Sequence, residues 1–131
     1  MARREPDSYR EQKEGRRRAY LAARTLGELF PRVEEVQLQM TFIDPYNASQ
    51  HSPQMHSFLP GARAFFEVPC PFSMCIGGGF DLGRIVADLT EGNGEGASGE
   101  LICQGWHSRD RIGSNRCLLH LHYRLTVRYK V

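Results

Sequence analysis

Cysteine is the residue of this chain with the clearest chemistry. Cys70 and Cys75 bracket Pro-Phe-Ser-Met, and Ile76 then leads into Gly77, Gly78 and Gly79. Cys103 and Cys117 follow, with thirteen residues between them. Two pairs of soft sulfur donors can converge on a tetrahedral metal ion, and zinc is the ion whose structural sites take that form. The same residues have two other readings. Cysteine packs well as a small hydrophobe, so four unliganded thiols are one alternative. Disulfides are another, disfavoured where the compartment is reducing.

Other candidate chemistry is thinner. His120 and His122 share one face of a strand and could replace a cysteine or start a separate metal site. Only His107 is near enough in sequence to be a third ligand, so both read as surface histidines. His51 and His56 read the same way, within a polar loop. The glycines followed by Arg84 have part of a phosphate-loop outline but lack its Lys and Ser/Thr. Their simpler role is to let the backbone turn tightly. No serine sits in a nucleophile elbow. A thiol-dependent enzyme using Cys70 or Cys75 stays open, although redox chemistry favours two residues between the cysteines, not the four found here.

These residues need a scaffold of about one domain, 1–131, of the α+β class. Residues 1–7 read as a frayed tail. A helix is expected over 8–29, with a basic N-terminal half projecting into solvent and an apolar C-terminal half on the core; Pro31 stops it. Residues 33–43 alternate, with Val36, Leu38, Met40 and Phe42 on one face, and read as a half-buried strand. Residues 44–61 carry Pro45, Pro53 and Pro60 and read as a long loop. Residues 62–68 are expected to pair with the first strand. A short helix capped by Asp81 and stopped by Gly92 follows, its stripe being Leu82, Ile85, Val86 and Leu89. Residues 92–99 read as a connector, and 100–104 as a strand. The alternation over 117–131 predicts the longest strand, central in an antiparallel sheet of about four strands in two hairpins, with the short helix between the hairpins.

From Cys70 to Cys117 the chain resembles zinc-ribbon-like four-cysteine modules: a cysteine turn on one hairpin and a second pair downstream. It departs from that pattern in having four and thirteen residues within its pairs instead of two and two. The resemblance implies structural zinc and a binding role.

Charge suggests where a partner would lie. Net charge is only +2, but residues 1–24 carry +4, residues 25–100 carry −7 and residues 101–131 carry +5. The basic ends can neutralise the acidic middle, or form a surface for nucleic acid or an acidic protein. The candidate contacts are Arg16, Arg17 and Arg18, the loop residues Trp106, Arg109, Arg111 and Arg116, and the strand face of Arg124, Arg128 and Lys130. The leading expectation is thus a non-enzymatic binding or adaptor protein with structural zinc, the alternatives being the thiol enzyme and a metal-free protein–protein interaction module. A charged N-terminus and the absence of a run of about 20 apolar residues lead to the expectation of a cytoplasmic protein without a membrane span.

Overall fold

A computed structural model describes residues 4–44, 52–72, 75–107 and 115–131; the side chains of 4–10, 107 and 115 lie outside that description. In chain order the elements are α1 (Arg4–Ala22), α2 (Leu26–Leu29), β1 (Val33–Ile43), β2 (Gln54–Phe58), β3 (Glu67–Val68), β4 (Cys75–Ile76), β5 (Phe80–Asp81), α3 (Gly83–Glu91), β6 (Gly96–Ile102), β7 (Trp106–His107), β8 (Asn115–Arg116) and β9 (His120–Tyr129). The class is α+β, built on an antiparallel sheet of order β2-β1-β9-β6.

The two alternating segments make the centre of that sheet. Leu38 lies opposite Leu125 and Phe42 opposite Leu121, so the apolar faces of β1 and β9 coincide. Leu38, Leu121 and Leu125 are fully buried, together with Leu26 of α2, Leu82 and Val86 at α3, and Cys103 and Cys117. Each such leucine is worth about 1.5–3 kcal/mol of burial. A one-residue slip between β1 and β9 would turn the apolar face of one strand away from that of the other, which fixes the register. On the outer face the polar residues also match. Glu35 lies opposite Arg128, and Arg128 reaches Glu35 at 2.6 Å and Glu34 at 3.1 Å. The bond between them lowers the pKa of Glu35 and raises that of Arg128.

Several boundaries differ from the sequence expectation, each for a local reason. The long helix is two helices. Thr25 and Glu28 form a capping box that starts α2 afresh, and Arg63 takes the carbonyl of Ala23 at 2.8 Å. The start of α1 is Arg4, so residues 4–7 are helical and not a frayed tail, and Pro6 sits in the first turn, where its missing N–H costs nothing. Residues 62–68 do not pair with β1. Ala62 and Ala64 instead exchange backbone hydrogen bonds with Leu26 and Arg24, and β1 pairs with β2, inside the segment expected to be loop. Because β2 is an edge strand exposed on nearly every residue, it lacks the alternation that reveals a half-buried strand. β6 begins at Gly96, inside the expected connector. The cap of α3 is Leu82, while Asp81 ends β5 and accepts from the Gly83 amide at 2.8 Å.

Candidate metal centre

Each cysteine stands just beyond or at the end of a short strand. Cys70 follows β3, Cys75 opens β4, Cys103 follows β6 and Cys117 follows β8. β7 and β8 pair as a hairpin, and β4 adds to its other edge with Cys75 opposite His107 and Ile76 opposite Trp106. The legs are locked by backbone bonds from Cys103 to Leu119, from Cys117 to Gly105 and from Leu118 to Cys103. Leu118 has φ of +52°. That left-handed conformation costs a leucine roughly 1–2 kcal/mol and is held beside a cysteine of the cluster.

The result is a cluster of four free thiols. Cys70 and Cys117 sulfurs are 3.6 Å apart, as are those of Cys75 and Cys103. All four sulfurs lie within 4.8 Å of one another. A zinc–sulfur bond of about 2.3 Å implies a tetrahedral edge of roughly 3.8 Å, whereas a disulfide needs about 2.05 Å. The cluster is therefore spaced to hold a metal ion.

Glycine makes the room. A β-carbon on Gly78 would meet the sulfurs of Cys75 and Cys103 inside van der Waals contact, and one on Gly105 would meet the sulfur of Cys75 and, at 2.8 Å, the backbone of Gly78. Gly79 has φ of +108° and donates its amide to the Cys103 sulfur at 3.3 Å. This amide bond, another from Gly105 and, most of all, the Cys70 thiol hold Cys103 down at about 4 against the opposing effect of burial. The other three go the opposite way. Cys70 is raised chiefly by donating to Cys103, Cys75 is pushed up to about 12, chiefly by burial, and Cys117 is raised by burial. Cys103 is thus the thiol of the set that ionises most readily, and the other three hold their protons more tightly than an ordinary thiol. A divalent cation would stabilise the remaining three as thiolates, and the donor set of sulfur with amide support suits a soft or borderline ion.

α1 closes the site from outside. Gln12 accepts from the Gly77 amide and donates to the Cys75 carbonyl at 3.4 Å, and the guanidinium of Arg16 lies beside Gly79. The polar half of the helix thus docks on the cysteine turn, while Tyr20 and Leu21 further along are 47% and 54% exposed. The expected docking of the C-terminal half therefore holds at Leu26 in α2 but not at Tyr20 and Leu21 in α1. The glycine turn has backbone groups to satisfy, and an amide side chain answers them better than an apolar stripe does.

The candidate partner residues fall into two groups. Lys13, Arg16 and Arg17 line a shallow recess of about 290 Å³ with Tyr20 and Phe65, whose rings meet edge to face at 5.7 Å. Trp106 is 40% exposed, and Arg116 lies 4.5 Å from its ring centre. Arg18 is exposed on α1. Arg124, Arg128 and Lys130 are exposed on or beyond β9, away from the cysteines, with Arg128 committed to two glutamates. Arg109 and Arg111 lie outside the described residues, as do Pro45 and His51.

One constellation was not legible in the sequence. Glu100 of β6 lies opposite His122, and its carboxylate meets His120 as well. The alternation of β9 puts both histidines on one face; only the β6–β9 register supplies the carboxylate.

No family model, curated protein or solved structure matches the chain. Among the described residues no helix is long and apolar enough to cross a membrane.

Proposed function

We propose that the four cysteines hold a structural zinc ion, and that the surface beside it binds single-stranded nucleic acid. The observation that carries this reading is the attachment of two basic–aromatic features to one centre. The Lys13/Arg16/Arg17 recess is tied to the cysteine turn through Gln12 and Arg16, and the Trp106–Arg116 pair sits on the hairpin that follows Cys103. Cations beside exposed aromatic rings suit a strand whose phosphates and bases are both accessible. An acidic protein would use the cations but has less use for the rings. Zinc would supply no reaction here. Bound by Cys70, Cys75, Cys103 and Cys117, it would contribute folding energy and fix the hairpin against the sheet.

A thiol enzyme is less well supported. A nucleophilic cysteine needs a lowered pKa and access to solvent. Cys70 and Cys75 are raised, and Cys103, the lowered one, is fully buried.

The test is titration of the full chain with oligo(dT), oligo(rU) and poly-glutamate, read by Trp106 fluorescence. Binding of the oligonucleotides should quench the tryptophan and weaken steeply with salt. Trp106→Ala, followed by anisotropy of a labelled oligonucleotide, should weaken binding about tenfold or more, the loss of one stacking contact. Equal binding of poly-glutamate would favour an acidic protein partner, and no binding of either would favour an interaction module of another kind.

A further inference from the structure

The outer face of the sheet carries a second set of metal donors, independent of the thiols. Both oxygens of Glu100 are engaged: one meets His120 Nδ1 at 2.8 Å and the other His122 Nε2 at 2.7 Å. The histidines are two apart on β9, and Glu100 comes from the neighbouring strand, in register with His122. All three are partly or largely open to water, with side-chain exposures of 31% for His120, 49% for His122 and 42% for Glu100. Their ligand atoms lie within 4.8 Å of one another.

We propose that Glu100, His120 and His122 form an exchangeable site for a divalent first-row transition ion, open to solvent on its remaining coordination positions. Three features of the arrangement support this. First, the donors are two imidazoles and one carboxylate, a set that suits zinc, nickel, cobalt or copper and that calcium and magnesium, which prefer oxygen alone, do not match. Second, the geometry is nearly in place. Metal bonds of about 2.0–2.2 Å require nitrogen–oxygen separations of roughly 2.9 Å at a right angle and 3.4 Å in a tetrahedron. The side chains need to part by less than about 1 Å from their hydrogen-bonded positions, which exposed groups do readily. Each ring moves its proton to its other nitrogen and presents a lone pair to the ion. Third, the backbones that carry the donors belong to adjacent paired strands of the main sheet, so the set is held before the ion arrives.

Three protein ligands leave at least one position for water or an anion. Two of the donors, Glu100 and His122, line a polar recess of about 480 Å³ together with Gln39, Thr41, Ser98 and Arg124. Arg124 makes no ion pair among the described residues and stands one residue beyond Tyr123 on the same strand as the ligands.

The experiment uses the full chain as purified, whatever its thiol centre holds, and Ni²⁺ alone as the probe. Amide and imidazole resonances are followed by NMR as Ni²⁺ is added below stoichiometry. Paramagnetic broadening should centre on residues 98–102 and 120–124. Glu100→Gln and, separately, His122→Gln should each weaken binding at least about tenfold, as removal of one of three ligands demands, while leaving the spectrum of the apolar core unchanged. His56→Gln should have no effect. The proposal is overturned by absence of local broadening at millimolar Ni²⁺, by broadening centred on the cysteines or on His51, His56 or His107, or by affinity that neither substitution changes.

Discussion

The two faces of the sheet place titratable groups in opposite settings. On the inner side three of the four thiols are buried, with glycine where any side chain would intrude. On the outer side a carboxylate and two imidazoles lie open to water and already satisfy one another. Burial decides what each set can do. Buried sulfurs gain little from solvent, so an ion among them displaces protons instead of water and would add cohesion across separate chain segments. Exposed donors compete with water and with their own hydrogen bonds, so an ion there adds little stability and exchanges freely. A buried four-thiol cluster and an open carboxylate–imidazole set are thus suited to different uses of a metal ion.

The comparison is broken most easily at the thiols. Cys103→Ser should lower unfolding free energy by more than about 4 kcal/mol, the scale on which loss of a metal site acts, as read by chemical denaturation. A loss below 1 kcal/mol would mean that the cluster is only packed sulfur.

Acidity gives the next largest effect. Cys103 is depressed to about 4, whereas Cys70, Cys75 and Cys117 are raised above the ordinary thiol value of 9.0. At neutral pH one ligand is already ionised and three still hold protons. Metal binding should therefore release about three protons, and affinity should fall roughly a thousandfold for each pH unit of acidification. For the metal-free protein the sign follows from the depressed group: the Cys103 contribution is complete above pH 9.0 and is lost as pH falls through about 4. Calorimetry in buffers of different ionisation enthalpy counts the protons; a count of one would contradict the assignment.

Gly105→Ala tests the cradle. Its new carbon would press on the Cys75 sulfur and the Gly78 backbone, and such overpacking costs about 1–3 kcal/mol. Metal release to a chelator should also quicken. Unchanged stability and release would show that the turn has slack.

The smallest effect belongs to the outer face. Glu100→Gln should change unfolding free energy by less than about 1 kcal/mol, as for other exposed pairs, even as it weakens Ni²⁺ binding at least about tenfold. A large loss of stability would make Glu100 a structural residue and erase the contrast between the faces.

Legibility in the sequence follows the same division. β1 and β9 could be read because one face of each is buried and the other is wet, so Val36 to Phe42 and Leu119 to Val127 alternate. The four cysteines could be named as one set because soft donors in two pairs have few other uses. What could not be read depends on pairings remote in sequence. Gln12 meets a turn 65 residues away, and Glu100 meets His120 at a distance of 20. The edge strand β2 was hidden because neither of its faces is buried. The break between α1 and α2 was written locally, in Thr25 and Glu28, but an apolar stripe running through Leu26 and Leu29 masked it.

The most direct measurement is the metal content of the full chain purified without a metal-affinity tag, taken after brief dialysis against a mild chelator and paired with alkylation of the thiols by iodoacetamide. Dialysis should empty the Glu100 site and leave one zinc per chain, with Cys70, Cys75, Cys103 and Cys117 protected until a strong chelator is added. Protein free of metal, with thiols whose alkylation no chelator changes, would contradict the account.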